Sequence, residues 1–320
     1  RTAETIVADG LAQLPTQSSE TFNTIMNELA STGDKGILQI ASRLVPPANG
    51  KNAVFEYAIG GITDLVTTKN GEKYRASVRK GLAEAIEKCN DYDNKAFLLT
   101  QLAKCATKED MPVFSKYLKD SKLSDLVIML LTSIPGNDTE LAYLVKNTDL
   151  PHLSLAKMVT ARNIQGVEDV LLGWTNDSDA KTLKEVYNAL ATVGTSKSVD
   201  VLADAAKKVN YGPDPTFATN AYAKLLESLE NDTKTVQKGA KALMKSETSA
   251  VRCAGLNLLL KSSGKDGVKN VLSALKDDDI EYRNTALACG LEYCGEPIFT
   301  EVTNKFGKLS EPAQVDVMRW

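Results

Sequence analysis

A single histidine, His152, stands in the 320 residues. Acid–base catalysis through imidazole, or a Ser–His or Cys–His nucleophile, would have to run through this one position. It follows Leu150-Pro151 where a helix begins, and neither a nucleophile nor an orienting group is legible beside it. A capping or surface role is expected. A multi-histidine metal centre is excluded. The five cysteines, Cys89, Cys105, Cys253, Cys289 and Cys294, contain no Cys-x-x-Cys, and the nearest two lie five apart with no histidine near them. Zinc therefore finds no ligand set. Small core residues between helices are expected, since free Cys is among the most buried residue types; a Cys89–Cys105 disulfide is the alternative. There is no Gly-x-Ser-x-Gly elbow, no Gly-x-x-x-x-Gly-Lys-Ser/Thr loop and no Gly-x-Gly-x-x-Gly after a strand. The 41 carboxylates include no pair that stands out. The expectation is a chain with no catalytic residue, no metal and no cofactor.

The lysines show more order. Lys234, Lys238, Lys241 and Lys245 run i, i+4, i+7, i+11 along one helix face. Lys265, Lys269 and Lys276 are their counterparts 31 residues later, with Leu272 breaking the set. At about 100° per residue, Lys234 and Val236 point to opposite sides, so the lysines face away from the core. A solvated face accounts for them; the sharper reading is a basic strip for an acidic protein tail or an anionic glycan. Asn137-Asp138-Thr139, Asn176-Asp177-Ser178 and Asn231-Asp232-Thr233 match the glycosylation sequon. Each lies between two helical patterns, where Asn, Asp and Ser/Thr serve turns and caps.

The elements that would carry these residues are helical. Strand signals are scarce, and the aromatic share is 6 %, so the apolar mass is Ala, Leu, Val and Ile. Patterns of about 11 to 16 residues end at Gly33, Gly71, Gly136, Gly194, Gly264 and Gly295, as helices end at C′ glycines. Asp214-Pro215, Thr107 with Asp110, and Ser310 read as helix starts. The net charge of −3 gives no support for nucleic-acid binding. No run reaches the ~18 apolar residues a membrane span needs.

A repeat organises the helices. Val251-Arg252-Cys253-Ala254-Gly255-Leu256 aligns with Tyr282-Arg283-Asn284-Thr285-Ala286-Leu287, and again with the segment from Ala313, at an offset of 31. Leu256 and Leu287 take a buried position on the first helix of each unit. A hairpin of this length buries too little surface to fold alone, and stacking supplies the missing core. The predicted fold is all-α: a right-handed α-α superhelix, a solenoid of about ten helical hairpins in one domain over 1–320. Residues 1–92 are irregular hairpins with a Pro/Gly loop at 46–52, and 93–320 are more regular. The absence of an initial Met and the unfinished helical pattern at Trp320 predict a fragment of a longer protein.

The Val-Arg-x-x-Gly-Leu and Tyr-Arg-x-x-Ala-Leu starts, with acidic turns before them and glycine between helices, resemble HEAT-type (armadillo-like) repeats of the short bacterial kind. In such repeats the helix arginine pairs with a turn aspartate. The resemblance thus implies structural pairs for Arg252 and Arg283 with partners among Asp277 to Asp279. It also implies that second helices line a concave face. A second resemblance rests on Arg43-Leu44-Val45-Pro46-Pro47-x-x-Gly50-Lys51-Asn52-Ala53-x-x-x-Tyr57. It is to the N-terminal HEAT region of secreted Bacteroidetes-type proteins that continue into a 3-keto-disaccharide hydrolase-type jelly roll. Lys51-Asn52 replaces the usual acidic pair there. This resemblance makes Arg43, Asn49, Lys51 and Tyr57 loop candidates. It implies a periplasmic, secreted or cell-surface location, the cytoplasm being the alternative, and places any hydrolase chemistry in a following domain. The functional expectation is a non-catalytic protein-interaction or scaffold module, serving a protein partner or a downstream domain. The alternative is a carbohydrate-binding accessory region of a glycan-processing protein.

Overall fold

The computed structural model describes residues 1–147 and 149–320, which divide into two compact units, Arg1–Met158 and Val159–Trp320. Among the described residues there are twenty α-helices and no strand. The first unit holds α1 (Ala3–Ala12), α2 (Ser19–Ser31), α3 (Gly33–Ala41), α4 (Ala53–Val66), α5 (Arg75–Lys88), α6 (Tyr92–Cys105), α7 (Met111–Ser115), α8 (Ser124–Thr132) and α9 (Asp138–Lys146). The unit boundary falls in α10 (His152–Arg162). The second unit continues with α11 (Glu168–Gly173), α12 (Ala180–Val193), α13 (Val199–Lys208), α14 (Ala218–Ser228) and α15 (Thr233–Leu243). It ends with α16 (Ser249–Ser263), α17 (Val268–Ala274), α18 (Ile280–Cys294), α19 (Pro297–Lys305) and α20 (Glu311–Arg319).

Each unit is built as two layers of helices. In the first, α2, α4, α6 and α8 pack in sequence, with α3 and α5 packed together as the second layer. In the second, α12, α14, α16, α18 and α20 pack in sequence, with α13, α15, α17 and α19 behind them. Both units thus show the all-α, solenoid-like stacking of hairpins that the repeat predicts. The caps explain many starts: Ser18, Asp91, Asp179, Asp232, Asp279 and Ser310 each accept a backbone N–H of the first turn. Thr107 and Asp110 form a reciprocal capping box before α7.

The 31-residue period survives in the geometry of the last three hairpins and the helix that follows them. Helices α14, α16, α18 and α20 start at 218, 249, 280 and 311. Leu256 and Leu287 are both buried, as are Val271 and Val302, in one cluster with Leu260, Leu275 and Ile298. Burying each such side chain contributes about 1.5–3 kcal/mol. Gly264 and Gly295 both take positive φ between helices, 56° and 79°. Not every matched pair shares a fate: Leu260 is buried and Leu291 exposed, and Met318 is exposed where Leu287 is not.

Several local expectations need correction. Gly71 and Gly194 are not left-handed C′ residues; their φ values are −104° and −72°. Space is what they provide, since a Cβ would sit 2.3 Å from the Leu65 carbonyl oxygen or 2.2 Å from that of Leu190. Gly33 does take a positive φ, 62°, and turns the chain straight from α2 into α3. Asp214 does cap, accepting from the Ala218 backbone, but α14 begins only at Ala218 and the residue before it, Phe217, is left-handed.

Candidate functional site

The strip predicted from the lysine spacing lies on α15 and on the 3-10 turn, α17 and the turn that follows it. On α15, Val236, Gly239, Ala240 and Leu243 are buried against α14 and α16. Lys234, Lys238, Lys241 and Lys245 are all exposed on the other side. Lys265 sits in the 3-10 turn Gly264–Gly267, Lys269 on α17, and Lys276 just past its end; all three are exposed. Among the described residues, no carboxylate lies within ion-pair distance of any of the seven. The strip is therefore positive charge left to solvent, able to attract anions over roughly a Debye length, ~8–10 Å.

The loop candidates behave differently. Arg43, Asn49, Lys51 and Tyr57 are all exposed, and the Tyr57 ring lies 5.4 Å from that of Phe22. The residue that organises the loop is Asn52, 4 % exposed. Its Oδ1 accepts the Val45 N–H at 2.9 Å and its Nδ2 donates to the Val45 carbonyl at 2.6 Å. Nδ2 also donates to Oδ1 of the buried Asn94 at 3.1 Å, and Asn94 Nδ2 donates to the Val45 carbonyl at 2.9 Å. The loop is closed as a strand pair would close it, by one side chain acting as a surrogate peptide. Asn94 was invisible as a site residue in the sequence; the Pro-Pro-x-x-Gly breaker run was the only hint of a constrained loop. Beside it, a groove of about 650 Å³ runs between α3 and α5, with Gln39, Ser42, Asn90, Asp91 and Asn94 in its wall.

Arg252 and Arg283 are both engaged. Arg252 holds the Asp277 carboxylate with two nitrogens, lies 3.6 Å from Asp279, and stacks 4.1 Å from the Tyr282 ring centre. Arg283 departs from the expected partner set. Its Nε donates at 2.6 Å to the carboxylate of Asp316, one hairpin further on, and both side chains are almost fully buried. It reaches Asp277 only through the backbone carbonyl, at 2.9 Å. Asp277 therefore serves two successive arginines, one through its side chain and one through its main chain. The Arg252 guanidinium holds the Asp277 carboxyl below the usual carboxylate range, and the Ser249 hydroxyl does the same for Asp279.

His152 is the first residue of α10 and half-buried. All five cysteines are free thiols, so the Cys89–Cys105 bridge does not form. Burial pushes the Cys105 and Cys289 thiols up to about 11, which keeps them protonated and poorly nucleophilic near neutral pH. Asn137 is fully buried and donates to the Leu131 carbonyl at 3.0 Å, so its sequon is closed to a glycan; Asn176 and Asn231 are exposed. Trp320 stacks on Phe299 at 4.9 Å. Among the described residues no group of three His, Cys, Asp or Glu is placed to hold a metal ion, and no helix is long and apolar enough to cross a membrane.

No family model and no curated protein matches this chain. Among solved structures, the crystal structure of an engineered protein is similar over 98 % of this chain and 97 % of its own, at 18 % identity and a TM-score of 0.44.

Proposed function

We propose that this chain is a non-catalytic interaction module, a stack of hairpins that presents a basic strip to an acidic partner protein or to an acidic stretch of a neighbouring domain. The observation that carries the reading is the set of seven exposed lysines without carboxylate partners on α15 and the 264–276 segment. Ammonium groups on a rigid backbone meet an anionic chain with little loss of order in the module. The resulting attraction steers association and fades with salt. Poly-glutamate serves as the probe. It is expected to bind the chain at low salt, to weaken as salt rises, and to lose most of its affinity when Lys234, Lys238, Lys241 and Lys245 are changed to Glu. Equal binding by that variant, or none by the parent chain, defeats the reading.

A second reading, a carbohydrate-binding accessory region, is favoured by one feature: the groove of about 650 Å³ beside the Asn52-closed loop, where Gln39, Asn90, Asp91 and Asn94 stand in a largely apolar wall. Sugars are held by a few directed amides and carboxylates in such a concavity. Calorimetric titration with a broad panel of neutral and acidic oligosaccharides tests it, and silence across the panel counts against it.

A further inference from the structure

The regular period is interrupted once in the second unit's middle. Helices α12 and α14 start at 180 and 218, seven residues further apart than their successors. Much of the excess lies in the segment after α13, residues 209–217, nine residues where the turns at 244–248 and 275–279 have five. Three of its residues, Asn210, Tyr211 and Phe217, have φ of 53°, 55° and 53°. Left-handed backbone is tolerable for Asn and costly for an aromatic residue. The segment is nonetheless clamped. Asp214 accepts from the Thr216 and Ala218 backbones at 2.9 and 3.1 Å, and Thr219 donates to the Gly212 carbonyl at 2.9 Å. From the turn after α15, the buried Ser246 donates to the Tyr211 carbonyl at 2.7 Å.

All this holds Phe217 in an exposed position, 49 % accessible. A strained aromatic that stays in water returns nothing to the core, where Gly or Asn would make the same turn without strain. The ring borders a cavity of about 260 Å³ between α12 and α14, whose other walls include Lys184, Asn188, Asn220 and Lys224. Lys184 Nζ stands 4.7 Å from the ring centre. Lys224 Nζ donates to Asn188 Oδ1 at 3.1 Å and to Thr192 Oγ1 at 2.9 Å, both neutral acceptors. Among the described residues neither ammonium has a carboxylate within ion-pair distance. Glu185 also lines the cavity and offsets one of the two lysines, so the cavity attracts a polyanion less than the unpaired lysine strip does.

We infer that this cavity is a second, more selective peptide site. It takes a short extended segment of a protein partner in which one Asp or Glu sits beside an apolar residue. The apolar side chain lies on Phe217, the carboxylate lies between Lys184 and Lys224, and Asn220 is free to bond the peptide backbone. The inference rests on the interaction-module reading, but not on the lysine strip. The strip suits a polyanion and this site a single carboxylate with an apolar neighbour. The size fits one or two residues of such a segment, and the phenyl ring offers no hydroxyl of its own.

The test is a display library of random octapeptides selected on the chain as given, followed by fluorescence polarisation of the enriched peptides. Variants Phe217→Gly, which keeps the left-handed turn, and Lys184→Gln with Lys224→Gln are compared with the fourfold Lys→Glu strip variant, with circular dichroism confirming that each is folded. The expected peptides carry Asp or Glu beside Leu, Phe or Trp. They should weaken about tenfold or more with Phe217→Gly and change little in the strip variant. Peptides without a carboxylate, no enrichment at all, or unchanged binding by Phe217→Gly overturn the inference. Loss confined to the strip variant also overturns it, while leaving the proposed function standing. Binding of acidic oligosaccharides at Phe217 in place of any peptide overturns it in favour of a sugar site.

Discussion

The segment from Val45 to Cys105 and the segment from Ser249 to Trp320 solve one problem with different chemistry. In both, a stack of hairpins must be tied from one hairpin to the next. In the earlier segment the ties mix neutral and ionic groups: Asn52 and Asn94 hold Val45, and Thr63 on α4 donates to Gln101 on α6 at 2.8 Å, while Lys104 on α6 pairs with Asp64 on α4 at 2.6 Å and Arg79 on α5 with Asp110 before α7 at 2.7 Å. In the later segment they are ionic: Arg252 to Asp277 and Arg283 to Asp316. Arg252 and Arg283, at the same place on α16 and α18, find their carboxylates 25 and 33 residues further on. The Asn52 tie and these arginine ties should therefore respond differently to mutation, acid and salt.

The largest effect is expected at the buried ion pair. Arg283→Ala leaves Asp316 buried without its counter-charge and should cost about 3–5 kcal/mol, measured by denaturant unfolding. Replacing both partners together, Arg283→Met with Asp316→Leu, should recover most of that loss. A double variant as poor as the single one would show that packing, not charge, sets the cost. Leu256→Ala and Leu287→Ala should each cost about 2–5 kcal/mol, and unchanged thermal unfolding in both would refute the repeat register. In the irregular segment, Asn52→Ala strands the Val45 N–H and takes one of two donors from its carbonyl, and should cost about 1–3 kcal/mol, with little salt dependence. Acid gives a smaller effect. Asp277 and Asp279 have lowered values in the folded chain and ordinary ones, about 3.9, when unfolded. Between those values the unfolded chain binds more protons, so stability present above about pH 4 is lost as pH falls. Single Lys→Glu changes in the strip should move stability by no more than about 0.5 kcal/mol, whatever they do to binding.

Much of the architecture was legible before the fold was in view, for a physical reason. A 31-residue repeat of Val/Tyr-Arg-x-x-Gly/Ala-Leu encodes helix start, buried leucine and turn glycine together, and α16, α18 and α20 begin where it says. Lysines at i, i+4, i+7, i+11 opposite Val236, Ala240 and Leu243 define an outward face from helix geometry alone. Long-range pairings were less accessible. Arg283 finds Asp316 because α18 and α20 pack side by side, a proximity that 33 residues of intervening sequence do not announce. Asn94 belongs to the loop at 46–52 only because α4 and α6 are neighbours. Phe217 was hidden for another reason: nothing in Asp214-Pro215-Thr216-Phe217 says that the chain turns left-handed at Phe217 before α14 begins.

The comparison between ionic and amide ties is tested most directly by two variants at two pH values. Hydrogen exchange, corrected for its intrinsic pH dependence, would give the local stability of α3–α6 in Asn52→Ala and of α16–α18 in Arg252→Met, at pH 7 and pH 3. The loss caused by Arg252→Met should be smaller at pH 3 than at pH 7, because Arg252 lowers the Asp277 carboxyl and that share of the stability fades as pH falls below the ordinary carboxylate range, while the loss caused by Asn52→Ala should stay the same. Equal persistence of both losses at pH 3, or a loss at Asn52 that vanishes with acid, would contradict the account.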